Sequence, residues 1–189
     1  MANNRFNVKN VHFAKNTKAT GGTVTREKPR LIAGAMSVTV NPTVASGTLY
    51  GDGVISDEVA QLTGAGISLE MNKIPTEIVN EIYGKTKDDN GITYDSVKDE
   101  AIEFSLGWEV ELTGGQSEFI WFTRCKAQPM QSEVQQRTDS INFSTDTCTI
   151  TAMPDEEGRI RMFGETVDAE FKCKDTWFAS IPPEPTIGG

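Results

Sequence analysis

From Ile102 to Leu112 every second residue is large and apolar: Ile102, Phe104, Leu106, Trp108, Val110 and Leu112. Glu103, Ser105, Gly107, Glu109, Glu111 and Thr113 fill the alternate positions. Successive side chains of a strand point to opposite faces of a pleated sheet, so this alternation predicts a strand buried on one face and wetted on the other. Gly114-Gly115 supplies the positive φ angles of a tight hairpin turn, and Phe119 to Arg124, rich in aromatic and β-branched residues, returns as a second strand. The remainder of the chain has to cover the apolar face of this hairpin.

Further strands follow from weaker versions of the same pattern. Arg5 to Ala14 carries Phe6, Val8, Val11 and Phe13, and a polar loop from 15 to 29 separates it from Leu31 to Val40. Met36, Val38 and Val40 share one face of that second strand, which Pro42 is expected to end. Ala65 to Met71 turns Ala65, Ile67, Leu69 and Met71 inward. Ser144 to Met153 sets Cys148, Ile150 and Ala152 against Thr147, Thr149 and Thr151. Pro154 to Gly158 reads as a hairpin loop leading to a returning segment from Arg159 to Glu170, and Ala127 to Arg137, with Pro129, reads as an edge strand.

One helix is expected, over 75–84. Pro75 suits its first position, Glu77 its positive N-terminal end and Gly84 its left-handed close. Ile78, Val79, Ile82 and Tyr83 form the stripe that would pack on a sheet. After it, Lys85 to Gly91 reads as a turn and Ile92 to Tyr94 as a short extended segment. The expected fold is mainly β (α+β), a β-sandwich or half-barrel of two packed antiparallel sheets with a flanking helix. It forms a single domain over 1–180, with Ile102, Phe104, Leu106, Trp108, Val110, Ile78 and Ile82 in its core and an exposed Pro-rich tail over 181–189.

Between Asn41 and Gly64 the alternation fails. Gly47, Gly51, Gly53 and Gly64 interrupt scattered apolar residues, among them Val44, Leu49, Tyr50, Val54, Ile55, Val59 and Leu62. So long an unpatterned stretch is unusual as a passive connection, which marks 41–64 as a functional loop.

Composition narrows the classes of function. Asp and Glu outnumber Lys and Arg by 27 to 18 over 189 residues, a net charge of -9 with no local basic cluster. Stable nucleic-acid binding rests on Lys and Arg neutralising phosphates, so it is disfavoured. A hydrophobic content of 37% is that of an ordinary globular domain. No stretch approaches a membrane span, and the polar N-terminal residues do not read as a secretory signal. Cys125, Cys148 and Cys173, odd in number and without a CxxC pair, are expected as free thiols.

Candidate chemistry is sparse. His12 is the only histidine, and it lies within an apolar strand pattern with no nucleophile elbow elsewhere, which argues against a hydrolytic triad. Asp88-Asp89-Asn90-Gly91 lacks the ligand spacing and downstream Glu of a calcium loop and reads as a turn, as does Asp155-Glu156-Glu157-Gly158. No phosphate-cradling glycine motif is found, and neither a metal nor a cofactor is expected. Glu109 and Glu111 belong to a regular polar face and read as a solvated acidic sheet surface.

The order of these elements resembles a known family. A strand near Asn10 to Ala14, a second ending at Val40-Asn41-Pro42, and the loop Leu49-Tyr50-Gly51-Asp52-Gly53 lead into the strand Gly66-Ile67-Ser68-Leu69-Glu70. The helix Ile74 to Gly84 and the strand Asp146-Thr147-Cys148-Thr149-Ile150-Thr151-Ala152 follow. Together they resemble the major tail, or tail tube, proteins of long non-contractile-tailed bacteriophages, over most of residues 5–180.

The resemblance implies a structural virion protein, made in the host bacterial cytoplasm, that assembles into stacked hexameric rings around a channel for the genome. Its partners would be further copies of itself and the tail tip, terminator and tape-measure proteins, with DNA passing without specific binding and no membrane involved. Leu49, Tyr50, Asp52, Val54 and Ile55 then fall in the inter-ring stacking loop. Glu103, Glu109 and Glu111 become candidates for the lumen wall, where an acidic face repels phosphates. Arg124 and Lys126 on the return strand temper that picture and are candidates for ion pairs between subunits.

Two other readings compete. A monomeric β-sandwich module binding carbohydrate or protein would need an exposed aromatic platform, for which only Trp177 qualifies, since Trp108 and Trp121 alternate inward. Another tail component, such as a tail terminator, is the nearest structural alternative.

Overall fold

The computed structural model describes residues 3–18, 24–51, 54–130 and 144–182, with backbone alone at 49–51 and 54–56. The strands before the helix are β1 (Arg5–Lys18), β2 (Val24–Arg26), β3 (Arg30–Ile32), β4 (Ala35–Gly51) and β5 (Val54–Met71). Helix α1 (Thr76–Ile82) and a small ribbon, β6 (Thr86–Lys87) with β7 (Thr93–Tyr94), follow. The central hairpin is β8 (Glu103–Leu112) and β9 (Gln116–Ala127), followed by β10 (Asp146–Ala152) and β11 (Met162–Glu165).

Nine strands form one antiparallel sheet in the order β2-β1-β8-β9-β10-β5-β4, with β3 beside β1 and β11 beside β9. The second sheet is only the β6–β7 ribbon. The large sheet curls, bringing β1 into contact with β4 although four strands lie between them, and it does not close into a barrel. The fold is thus mainly β and sandwich-like.

The principal core gathers Val11, Phe13, Ile67, Leu69, Phe104, Leu106, Trp108, Phe122 and Ile150, with Ile78 and Ile82 of α1 laid among them. Ile102 and Val110 are half-buried and pack against it. Pro75 caps α1 instead of opening it, since its extended ψ of 131° lies outside the helix. Its carbonyl accepts the Ile78 and Val79 N–H groups at 2.9 and 3.1 Å. Gly84 closes the helix at φ 62°, and a β-carbon there would approach the Glu100 carbonyl oxygen at 2.6 Å.

Several expected boundaries move. Gly34, at φ 96°, breaks the segment Leu31 to Val40 into β3 and β4. Pro42 does not end the second strand: β4 lies at the end of the strand order, where an edge position tolerates a missing N–H, and Pro42 pairs with Ala65. β10 and β11 do not form a hairpin with each other. Instead they share one edge of β9, β10 pairing Ile150 with Ala127 and β11 pairing Met162 with Trp121. Most of the expected edge strand 127–137 and the tail beyond 182 lie outside the described residues.

The central hairpin departs most from expectation. Phe104 pairs with Cys125 but Leu106 with Phe122, so a bulge sets Thr123 and Arg124 opposite Ser105. Beyond it the core-facing positions of β9 switch from Ile120 and Phe122 to Cys125 and Ala127. The polar face of β8 is covered as well. Phe119 and Trp121 share that face with Gly107 and Glu109, and a segment over 166–182 packs Phe171, Trp177 and Phe178 upon them. Trp177, expected exposed, is buried, and Trp121 faces this second core and not the first. Glycine makes the layer possible at two points: a β-carbon on Gly107 would meet the Trp121 ring at 2.5 Å, and one on Gly164 the Phe171 ring at 2.3 Å.

Candidate assembly surface

β10 accompanies β5 only as far as the pair Ala152 and Ala65. Beyond that point β4 and β5 continue alone, with Thr43 opposite Gly64, Val44 opposite Leu62 and Gly47 opposite Val59, ending at Gly51 opposite Val54. Gly64 marks the departure, because a β-carbon there would sit 2.7 Å from the Ala152 carbonyl oxygen. The stretch expected to be an unpatterned loop is therefore a two-stranded arm. At the usual strand rise it reaches about 30 Å.

Its lack of alternation has a physical cause. Residues 41–48 and 57–63 are all exposed, so neither face of the ribbon meets a core and nothing selects for period two. β-branched residues such as Thr43, Val44, Val54, Ile55 and Val59 keep the backbone extended. Among the proposed stacking residues, Leu49, Tyr50, Val54 and Ile55 lie on the arm backbone, and Asp52 lies outside the described residues. Nearer the body, the arm shows water Val44, Val59 and Leu62, each more than half exposed.

The three lumen candidates are not a bare acidic wall. Glu103 receives both arms of the Arg124 guanidinium, at 2.9 and 3.0 Å, which holds its carboxyl below the usual carboxylate range. Glu109 is 7% exposed, accepting from Asn10 and Ser117 at 2.7 Å each, with Lys9 Nζ 3.4 Å away. Glu111 accepts from Lys9 at 2.5 Å and Asn7 at 2.7 Å, and these bonds depress its pKa. Arg124 and Lys126, considered for contacts between subunits, find partners within the chain, Lys126 pairing with Glu100 at 3.5 Å. These compensating groups lie up to about a hundred residues away in sequence, so spacing could not reveal them.

Other buried polar groups carried no legible pattern. Glu118 sits at the end of the principal core and takes a two-point ion pair from Arg5, at 2.7 and 3.0 Å. Ser105 Oγ lies 2.9 Å from Asn16 Oδ1 and 2.8 Å from the Thr123 carbonyl oxygen, filling the polar space left by the bulge.

The acid-rich loops behave as turns. Asp88 accepts the Asn90 and Ile92 N–H groups at 3.0 and 2.7 Å, and Asp155 accepts those of Glu157 and Arg159 at 3.2 and 2.8 Å. Among the described residues no cluster of His, Cys, Asp and Glu could hold a metal, and no helix is long and apolar enough to cross a membrane. His12 stacks on Phe178 at 4.2 Å with its Nδ1 2.7 Å from the Asn10 carbonyl oxygen. Cys125, Cys148 and Cys173 are free thiols, and burial pushes the pKa of the first two up.

The surface thus offers a long exposed arm, open strand edges and a body whose acidic strand is internally compensated. No individual curated protein matches the sequence. Residues 10–181 do match the family described as phage tail tube protein. With nearly the whole chain spanned, the protein belongs to the phage tail tube protein family and is a structural component of the virion.

Proposed function

We propose that this chain is the repeating subunit of the tail tube, closing into hexameric rings that stack around a channel for the genome. The observation that carries the reading is the exposed arm. A two-stranded ribbon is marginally stable alone in water, and this one displays Val44, Val59 and Leu62 without a covering element of its own chain among the described residues. Neighbouring copies would cover it, and Leu49, Tyr50, Asp52, Val54 and Ile55 at its outer end would meet the adjacent ring. Open edges such as that of β4 would pair with neighbours, which removes a hazard of aggregation.

DNA would pass because the subunit as a whole is acidic, at net charge -9, and offers phosphates little to hold. Glu103 and Glu111 remain partly exposed and are the carboxylates we assign to the channel wall; Glu109 supports that wall from beneath. Tip, terminator and tape-measure proteins would contact the ends and interior of the tube, which would form in the host cytoplasm. The binding-module reading loses the residue it rested on, because Trp177 is buried.

The test replaces residues 45–61 by Asn-Gly, which keeps Val44 opposite Leu62 and closes the ribbon with a hairpin turn. The expected product is folded, with a cooperative thermal melt close to the parental one, and forms no tubes by negative-stain microscopy. Long tubes from this variant would refute the role of the arm.

A further inference from the structure

A cleft of about 360 Å³ opens between the turn at residues 26–29 and the C-terminal segment at 179–182. Pro29, Met162, Ile181 and Pro182 give it apolar walls, while Arg26 and Lys28 bring positive charge. Arg159 also lines it, held by Asp155 and Glu157, and Glu27 is the carboxylate on its rim. Arg26 lines the cleft, and among the described residues its Nε, shut off from solvent, has no hydrogen-bond acceptor. A buried donor of this kind is rare and marks a place where an acceptor belongs.

The arm has the complementary composition. Between Asn41 and Gly64 the sequence contains Asp52, Asp57 and Glu58 and no Lys, Arg or His. Asp57 and Glu58 are exposed, close to exposed Val59 and Leu62, so carboxylates and apolar side chains lie together on one strand. The arm's own chain leaves these groups in water, and the cleft of that chain does not hold them.

We infer that the cleft between residues 26–29 and 179–182 of one copy seats the arm of another, Asp57 or Glu58 supplying the acceptor for Arg26 and Lys28. This rests on the tube-subunit reading and deepens it by naming the receiving surface. Arm and cleft are different patches, so the contact is head-to-tail, the kind that propagates from copy to copy until it closes a ring or extends a stack. The cleft admits a few side chains, not the whole ribbon, so it fixes register while the exposed valines and leucine lie against the surrounding surface.

The experiment uses the full chain with Cys173→Ser to remove its exposed thiol. Lys28→Cys and Glu58→Cys in one polypeptide should give a ladder of disulfide-linked oligomers on mild oxidation, and either change alone should not. In parallel, Arg26→Glu with Lys28→Glu, and Asp57→Lys with Glu58→Lys, should each raise the concentration needed for tubes by about tenfold or more. The combined four-residue exchange should bring it back. If the parent forms tubes while the double-cysteine chain gives no ladder, the cleft assignment fails and the tube reading stands. Charge reversals that melt with the parent but are not rescued by the exchange also overturn the assignment. A parent that forms no tubes, together with a double-cysteine chain that gives no ladder, overturns both.

Discussion

Gly107 lies directly beneath the indole of Trp121, close enough that a single added methyl would come within 2.5 Å of the ring. Trp121 is fully buried under the 166–182 segment and cannot move aside. Gly107→Ala is therefore expected to destabilise the subunit by about 1–3 kcal/mol through overpacking. At this chain length that lowers the melting temperature by about 2–4 °C for each kcal/mol, measurable by circular dichroism. An unchanged melt would mean that the second aromatic layer is looser than the structure shows.

Trp177 anchors that layer, its carbonyl accepting the Trp121 Nε1–H at 3.0 Å and its ring meeting Phe171 and Phe119. Trp177→Ala should cost about 3–5 kcal/mol, in the range of large aromatic truncations. The 166–182 segment should become the first site of proteolysis, and limited digestion followed by mass spectrometry would locate the cut.

Glu109 cannot be treated as a freely replaceable surface charge. Its carboxylate is 7% exposed and bound by Asn10, Ser117 and Lys9, so Glu109→Lys would set a buried ammonium beside Lys9. The expected loss is about 3 kcal/mol or more. Glu109→Gln, which keeps the shape and part of the hydrogen bonding, should cost about 1–2 kcal/mol. Chemical denaturation of the two variants separates these outcomes, and equal stability would show the site to be solvated.

Arg5 holds Glu118 from a largely exposed position while the carboxylate itself is only 3% exposed. Arg5→Ala strands that charge, yet water can reach it where the arginine lay, so the expected cost is about 1–2 kcal/mol and not the full penalty of a sealed pair. Arg5→Ala combined with Glu118→Gln should recover part of the loss in a double-mutant cycle.

His12 and Glu103 contribute to the pH dependence in separate windows, the second shared with Glu111 and Asp88. Burial lowers the pKa of His12 from the usual 6.5, so on acidification the unfolded chain takes up its proton before the folded one. Stability should decline as pH falls through 6.5 and level off below the folded value, and His12→Asn should abolish that step. Glu103, held below its usual 4.5 by Arg124, contributes stability present above that value and lost as pH falls beneath it. Urea midpoints measured across the range, for the parent, His12→Asn and Glu103→Gln, would resolve the two.

Sequence alone determined whatever repeats along the chain. The alternation from Phe104 to Leu112, the inward set Ala65, Ile67, Leu69 and Met71, the stripe Ile78 and Ile82, and the turn at Gly114-Gly115 all state which residues must leave water. Such patterns are local, because a pleat or a helical turn places neighbours on fixed faces. The tertiary structure alone decided what depends on distant partners. The second face of β8 is buried because the 166–182 segment returns to it, and the Glu109 carboxylate finds its partners because β1 brings Lys9 and Asn10 alongside. The bulge opposite Ser105 shifts the register of β9 without a residue that announces it. The arm was invisible as strand because periodicity records burial, and a ribbon exposed on both faces has none to record.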